Sequence, residues 1–382
     1  MLLNVWEKIP GAPTIQVDDG PASEARRGDT VLYSLLTMQL PELSREIQLL
    51  RERGVILVAG GPHASADPEF IRRVGFHTAV TGDGETALPY LIRDLAAHKS
   101  LRPEYAGGRQ HDFSSWLPLS SRITTLPPLE LMRGCYYRCE YCATPGTGRP
   151  RFRPLDSVRD YLERLRNRGA SRVNFLCPSA LDYRDPVLGA SPKESVARLL
   201  HSARHAGFRH IEYGIFPSEI RPGTLDDEWV RLLRSYVSHH RLTLGAQSGF
   251  PGRLQTLRRG HTIEDVEAAI HVANTGGFTV NVDIIVGYPD ESPDERQATF
   301  DFVCRLHREH QVHIQVHHFF PLPGTPLQHR FPTFFKLQGE RALARLHQDG
   351  LITLQWKKDR DASRRYFEWL RCFHPEEYAL FH

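Results

Sequence analysis

The sequence predicts an α/β protein of two units. The first is a Rossmann-like parallel-sheet domain over residues 1–100; the second is a barrel of alternating strands and helices over 129–330, with a small extension at 331–382. Three observations carry this prediction. Short apolar runs suited to buried parallel strands alternate with stretches of helical spacing along most of the chain. Six strand–helix units follow one another after residue 129, which points to a parallel sheet wound open or as a partial barrel. A stretch containing Pro, Ser and Gly at 101–128 reads as the linker between the units.

Bulk properties fit this division. A chain of 382 residues suggests about two folding units. Its 40% hydrophobic and 24% charged content is that of a soluble globular protein with a real core. A net charge of +3 gives no reason to expect a nucleic-acid or anionic-membrane partner. The start lacks a basic segment followed by a long apolar run, and no apolar stretch approaches roughly 18 residues, so neither a secretory signal nor a membrane span is expected. Three of the six cysteines are packed into eight positions and the others (Cys177, Cys304, Cys372) are scattered. That pattern suits ligation in a reducing cytoplasm rather than a disulfide framework.

In the first unit, 29–36 reads as a buried strand, 43–53 as a helix and 55–59 as a second strand ending at Gly60-Gly61-Pro62-His63. A turn of that kind at a strand's carboxyl end is where open α/β sheets place ligands. A helix at 68–74, a strand at 78–81 and Gly82-Asp83-Gly84-Glu85 complete the unit, and residues 2–6 read as a remnant strand. In the second unit the strands are 129–133, 172–177, 210–216, 242–247, 279–286 and 312–320. Helices at 158–168, 195–206, 228–239, 263–275 and 293–308 lie between them. The tail reads as helices with a short hairpin at 351–356, and no chemistry is assigned to it.

The segment Gly134-Cys135-Tyr-Tyr-Arg-Cys139-Glu-Tyr141-Cys142 follows directly on the first barrel strand. Three thiolates at this spacing wrap one compact iron–sulfur cube and leave the fourth iron without a protein ligand. S-adenosylmethionine (SAM) chelates such an iron through its amino and carboxylate groups. The alternatives are a zinc site or structural thiols; structural zinc asks for four closed ligands, and no second pair matches.

At these residues the sequence resembles the radical SAM superfamily, whose signature is Cys-x3-Cys-x-aromatic-Cys, with Tyr141 in the aromatic slot and, by that resemblance, beside SAM. The resemblance covers about 129–330 and implies a partial (β/α)6 barrel, a [4Fe-4S] cluster held by Cys135, Cys139 and Cys142, and cleavage of SAM to a 5′-deoxyadenosyl radical. It extends to Leu244-Gly-Ala-Gln-Ser-Gly249 with Arg259-Gly260-His261-Thr262, which implies SAM contacts from Gln247 and Ser248. Asp283-Ile-Ile-Val-Gly287-Tyr-Pro-Asp-Glu291 resembles the fifth-strand motif, with Gly287 beside the adenine. Phe320-Pro-Leu-Pro-Gly-Thr-Pro326 resembles the close of the sixth strand. Where the family often has Gly-Gly-Glu, this chain has Cys177-Pro178-Ser179-Ala180, so binding of the SAM amino group passes to Ser179 or to backbone. By the same resemblance Glu219 is expected on the amino group and Arg221 on the carboxylate; the alternative for both is a surface ion pair.

The first unit resembles the second half of a cobalamin-binding domain. Ser34-Leu35-Leu36 and Gly60-Gly61 match two of that family's markers, so Ser34, Leu36, Gly60 and Gly61 are the expected cobalamin contacts. The Asp-x-His-x-x-Gly marker that supplies the axial histidine is absent, and the alternative is a vestigial domain that only packs on the barrel.

Among the remaining features, His317 and His318 point to opposite faces of the sixth strand, so at most one faces inward. Asp182 and Tyr183 are pocket or loop residues, Cys177 is expected as a small buried hydrophobe first and as a radical quencher or ligand second, and no catalytic residue is assigned. The function expected is a radical SAM enzyme, with cobalamin-dependent methylation of an unactivated carbon first. A cobalamin-independent rearrangement or oxidation is second, and a non-catalytic iron–sulfur protein is the reading from another class. The expected partners are a small-molecule or peptide substrate and an electron donor such as a flavodoxin or ferredoxin.

Overall fold

The structure, a computed structural model, describes residues 2–16, 22, 24–108, 113–123, 126–187, 189–310 and 312–382. The first domain is a parallel sheet of β1 (Thr30–Ser34), β2 (Ile56–Gly60), β3 (Thr78–Thr81) and β4 (Glu104–Ala106) in sequential order. Thr30 stands opposite Ile56, Val58 opposite Thr78 and Ala79 opposite Glu104. Every residue of β3 is buried, as expected of a parallel strand covered on both faces. The covering helices include α2 (Leu40–Glu52), α4 (Pro68–Val74) and α5 (Gly84–Ala96); a short α3 (Pro62–Ala66) leaves β2.

Two expectations are corrected in this domain. The linker placed at 101–128 opens with β4, which extends the sheet past residue 100. The remnant strand at 2–6 is helix α1 (Leu2–Glu7). Successive residues of a strand point to opposite faces, whereas Val5 and Trp6 are both buried in one cluster with Val80, Leu88, Leu91 and Ile92.

The second domain starts with β5 (Leu129–Glu130) and β6 (Met132–Arg133), onto which β7 (Arg151–Phe152) folds back. The next strands are β8 (Arg172–Leu176), β9 (His210–Glu212), β10 (Arg241–Gln247), β11 (Thr279–Val286) and β12 (His313–His318). They pair in parallel in the orders β5-β8-β9 and β10-β11-β12. The two halves are stitched by Thr243 N–H donating to the Gly214 carbonyl at 2.8 Å and Ile220 N–H to the Thr243 carbonyl at 2.9 Å. The result is a six-stranded partial barrel. The strand expected over 210–216 stops at Glu212, because Gly214 at φ +80° turns the chain out of the sheet.

Helices α6 (Leu155–Asn167), α7 (Pro192–His205), α8 (Asp227–Tyr236), α10 (Ile263–Thr275) and α11 (Pro293–His310) cover the outside, and a short α9 (Pro251–Thr256) follows β10. Local sequence sets their starts: Ser191, Asp226 and Thr262 each accept an N–H of the first turn. On β11 the residues Val280, Val282, Ile284 and Val286 enter the core. The alternate positions, among them Asp283 and Ile285, therefore face the barrel interior.

The tail forms α12 (Leu337–Gln348), α13 (Gln355–Phe373) and α14 (Pro375–Tyr378). The hairpin expected at 351–356 is absent. Ile352 bridges in parallel to Ile314 on the free edge of β12, and the chain turns helical at Gln355. Helix α13 then carries Tyr366, Phe367, Trp369 and Leu370 into one apolar cluster with Leu35, Leu40 and Phe70 of the first domain.

Candidate active site at the carboxyl end of the barrel

The loop at 134–142 leaves β6 through Gly134, at φ +86°. A Cβ there would stand 2.7 Å from the Gly148 carbonyl oxygen, so only glycine passes. The loop is anchored by Cys142 N–H to the Cys139 carbonyl (3.1 Å), Glu140 N–H to the Leu257 carbonyl (3.2 Å) and an Arg258–Glu140 ion pair at 2.8 Å. All three thiols line one cavity, open at one end, with about 1080 Å³ free of protein atoms counted out to its rim. Arg259 Nη1 points at Cys139 Sγ from 3.6 Å and its Nη2 donates to the Gly245 carbonyl at 2.7 Å.

Among the described residues no three His, Cys, Asp or Glu side chains converge on one metal ion. A cube asks for the opposite of convergence, since each thiolate reaches a separate iron corner. Three thiols of one loop, turned to a shared cavity that stays open beside them, fit such a cluster with one corner facing a ligand.

Of the residues expected to touch SAM, Tyr141, Ser179, Glu219, Arg221 and Gln247 line this cavity with the thiols. Ser179 Oγ donates to Asp182 at 2.5 Å. Ala180 N–H donates to the Glu219 carbonyl at 2.9 Å, joining the loops after β8 and β9. Arg221 lies 3.7 Å over the Tyr137 ring, is 6% exposed, and its Nη1 has no partner. Gln247 sits at φ +72°, at the bulge that interrupts the β10–β11 register; such strain in a non-glycine residue is typical of ligand sites.

Two expected residues stand elsewhere. Ser248 is buried beside the cavity and its Oγ accepts the Phe250 N–H. Gly287, at φ +78°, is packed against His318: a Cβ would meet that ring nitrogen at 2.5 Å, so close approach here serves the protein's own core. Tyr183 is buried and donates to the Arg153 carbonyl at 2.8 Å.

Sequence reasoning gave no role to Tyr137, Phe216, Arg259 or Asp283, all of which line the cavity together with His317. The signal for Asp283 was present, as a lone carboxylate amid the apolar residues of β11. Burial pushes its carboxyl up to about 7, with Glu219 adding to the shift and His317 opposing it. Burial likewise raises Glu219 against the pull of Arg259 and His317. Burial works against charge on His317, yet Asp359 outweighs it, with Asp283 and Glu219, and raises the imidazole. The Asp359 carboxylate reaches His317 Nδ1 at 3.0 Å from α13.

The four residues expected at a cobalamin lie together at the carboxyl ends of β1 and β2. Leu35 N–H donates to the Gly60 carbonyl at 2.8 Å, and a Cβ on Gly61 would stand 2.8 Å from the Leu35 backbone. Ser34 and Leu36 are exposed. The chain itself covers the neighbouring edge. Ala66 after β2 touches Gly324, and Asp83 and Glu85 after β3 pair with Arg133 at 3.0 and 2.9 Å, Asp83 also with Arg151. Between this edge, residues 321–329 and the tail lies a small pocket lined by His63, Asp67, Gln328, Tyr366 and Phe381. Among the described residues, none before Cys135 lines the barrel cavity. A corrin does not fit at this edge as it is packed.

A six-stranded partial barrel with a three-cysteine loop on its first strand defines a class, and residues 129–303 match the family model of the radical SAM superfamily. The chain contains a radical SAM domain, which takes a [4Fe-4S] cluster and SAM. It is 26% identical over 340 residues to tRNA-2-methylthio-N(6)-dimethylallyladenosine synthase of Verminephrobacter eiseniae (strain EF01-2), covering 85% of this chain and 74% of that protein. The same synthase of Leptothrix cholodnii (strain ATCC 51168 / LMG 8142 / SP-6) is 26% identical over 329 residues, covering 80% and 66%. Among solved structures the chain is similar to the radical SAM methyltransferase TsrM from Kitasatospora setae with cobalamin and [4Fe-4S] cluster bound. That likeness has a TM-score of 0.58 at 19% identity, over 80% of this chain and 65% of that one. It is also similar to the cobalamin-dependent SAM radical enzyme OxsB with aqua-cobalamin bound, at a TM-score of 0.56 and 13% identity, over 91% and 53%. At such identities the two structures bear on fold alone, and the chain spans about half to two thirds of their length.

No described helix is long and apolar enough to cross a membrane.

Proposed function

We propose that this protein uses SAM to make a 5′-deoxyadenosyl radical, which takes a hydrogen atom from a substrate carbon inside the barrel cavity. The observation that carries the reading is one cavity shared by the three thiols of the 134–142 loop with Gln247, Glu219 and Arg221. A [4Fe-4S] cluster with one iron free of protein supplies the electron that splits the sulfonium carbon–sulfur bond. Cys135, Cys139 and Cys142 hold it, and Arg259 lays a buried positive charge beside Cys139. Glu219 receives the SAM ammonium, and Arg221, braced on Tyr137, takes the carboxylate on its unpartnered Nη1. The barrel walls keep water from the radical. A flavodoxin or ferredoxin is the electron donor this chemistry calls for.

The test is anaerobic incubation of reconstituted protein with SAM and dithionite. Release of 5′-deoxyadenosine supports the reading, and each of Cys135→Ala, Cys139→Ala and Cys142→Ala abolishes it. A protein that holds its cluster but releases none is an iron–sulfur scaffold.

The fold likeness to TsrM and OxsB favours a second, finer reading: cobalamin-dependent methylation of an unactivated carbon, with SAM serving also as methyl donor. It requires α13 and residues 321–329 to withdraw from the first domain's sheet edge. Stoichiometric uptake of aquacobalamin, seen by its corrin absorbance, with S-adenosylhomocysteine among the products, supports it. Absence of both leaves the first domain as a brace. The tRNA relatives suggest methylthio transfer, but sulfur insertion normally uses a second cluster. Cys177 is buried at the end of β8, while Cys304 and Cys372 lie on α11 and the exposed side of α13.

A further inference from the structure

We infer that the outer face of the cluster loop, made of Tyr136, Arg138, Arg149 and Arg184, is the docking surface of an acidic one-electron carrier protein. The inference rests on the radical SAM reading above and assigns the surface that its electron donor uses.

The loop alternates in the manner of an extended chain. Cys135, Tyr137, Cys139 and Tyr141 line the barrel cavity. Of the residues between them, Glu140 is held by Arg258 at 2.8 Å, whereas Tyr136 is 53% exposed and Arg138 is exposed. Two exposed arginines of neighbouring segments extend this outer face. The Arg184 guanidinium, on the loop after β8, lies 6.0 Å from the centre of the Tyr136 ring. Arg149 runs beside the start of the loop, where a Cβ on Gly134 would stand 3.1 Å from its carbonyl oxygen.

The charge on this face is unmatched. Arg133, Arg151 and Arg258 are each held in an ion pair, but among the described residues Arg138, Arg149 and Arg184 have no carboxylate partner. Acids on the adjoining loop are already engaged: Asp182 accepts from Ser179 at 2.5 Å, and Asp185 accepts the Val187 N–H at 2.9 Å. The first domain meets this end of the barrel through Arg133 and Arg151 and leaves the face open.

Cations around an exposed tyrosine suit an anionic protein surface. Tyr and Arg carry much of the binding energy at protein interfaces, and complementary charge steers the small, short-lived encounters typical of redox partners. Position selects the partner's chemistry. Arg138 directly precedes Cys139, with its Cα about 3.8 Å away. A carrier seated here stands against the thiolate shell of the cluster and leaves the cavity to SAM and substrate. One electron passes from the reduced carrier to the cluster; the carrier is oxidised, the cluster is reduced, and no bond or proton changes place. Nucleic acid, the other polyanion, calls for a more basic domain, and the net charge of this chain is only +3.

The test uses full-length, cluster-loaded protein under anaerobic conditions, with a bacterial flavodoxin and a [2Fe–2S] ferredoxin as probes. Biolayer interferometry reads binding. Release of 5′-deoxyadenosine from SAM is followed with dithionite and, separately, with NADPH, flavodoxin reductase and flavodoxin. At least one carrier binds the wild type, and raising salt from about 50 to about 300 mM weakens binding several-fold as the charges are screened. Arg138→Glu, Arg149→Glu and Arg184→Glu combined weaken it by roughly tenfold or more, since attractions become repulsions. Carrier-supported release slows with it, while iron content and dithionite-supported release stay at the wild-type level. Arg138→Lys, Arg149→Lys and Arg184→Lys combined retain binding. Failure of both carriers to bind, binding indifferent to salt, or equal affinity in wild type and charge-reversed protein overturns the inference. Loss of dithionite-supported release in a charge-reversed protein that keeps its iron also overturns it, as does tighter binding of single-stranded RNA that the same changes abolish. If the wild type releases 5′-deoxyadenosine with dithionite while carrier binding ignores the arginines, only this inference falls; if it releases none, the radical reading falls first.

Discussion

Replacing Arg133 by Met tests how the two domains are joined. The guanidinium, 13% exposed at its side chain, pairs with Asp83 at 3.0 Å, Glu85 at 2.9 Å and Glu130 at 2.5 Å. Removing one partner of a buried ion pair typically costs about 3–5 kcal/mol, because a charge is left without compensation. Arg151 still holds Asp83, and Glu130 reaches solvent, so Glu85 alone is stranded and the low end applies. A loss of about 3 kcal/mol, at about 2–4 °C per kcal/mol for domains of this size, lowers Tm by roughly 6–12 °C. Circular-dichroism melting of the anaerobic protein measures it. Adding Glu85→Gln to Arg133→Met recovers part of the loss by removing the stranded charge. Iron per chain falls as well, since Arg133 directly precedes the cluster loop. A shift below about 2 °C, the behaviour of an exposed pair, refutes the reasoning. The acid limb follows from Asp83, whose carboxyl burial would raise but which Arg151 and Arg133 hold below the ordinary range. Its stabilisation is complete above the unfolded value, near 4, and is lost as pH falls through the lowered folded value.

Four further outcomes are expected. Asp283→Asn raises Tm at pH 8 and not at pH 4: with its folded pKa raised to about 7, the native carboxyl holds its proton longer than the unfolded one, so stability falls as pH climbs from about 4 to 7. A gain of equal size at both pH values argues against this. Gly287→Ala destabilises by about 1–3 kcal/mol in denaturant titration, through a strained φ of +78° and a clash with His318. Arg259→Leu lowers the cluster's midpoint potential in an EPR-monitored titration, because removing a cation beside Cys139 disfavours the reduced cluster; an unchanged potential contradicts the contact. Gln247→Gly relieves backbone strain, raising stability by about 1 kcal/mol while weakening SAM binding in equilibrium dialysis.

Much of the barrel was legible because its elements obey simple periods. The strand at Thr279–Val286 and the helix at Ile263–Thr275 fall at the bounds where the sequence pattern puts them. The cysteine loop was legible because spacing within one loop is a local property. Errors arose where tertiary context decides. Leu2–Glu7 has too few residues for its period to show, and Ile352 pairs only because β12 offers a free edge. The Asp359–His317 contact joins positions 42 residues apart, and no local pattern links a helix in the tail to a barrel strand. Gly61 and Gly287 were read as openings for ligands, whereas neighbouring chain fills both spaces.

Helix α13 touches both domains at once. Asp359 near its start grips the wall of the reaction chamber, and Trp369 and Leu370 sit in the core of the first domain, about 15 Å further along a rigid rod. The rod works as a lever. Displacing the first domain, by a bound partner or by a cavity at Trp369, would tilt the imidazole that Asp359 steadies. The tail thus steadies the chamber's wall from behind, and a cut before Gln355 would uncover a greasy face on one domain while freeing the imidazole on the other.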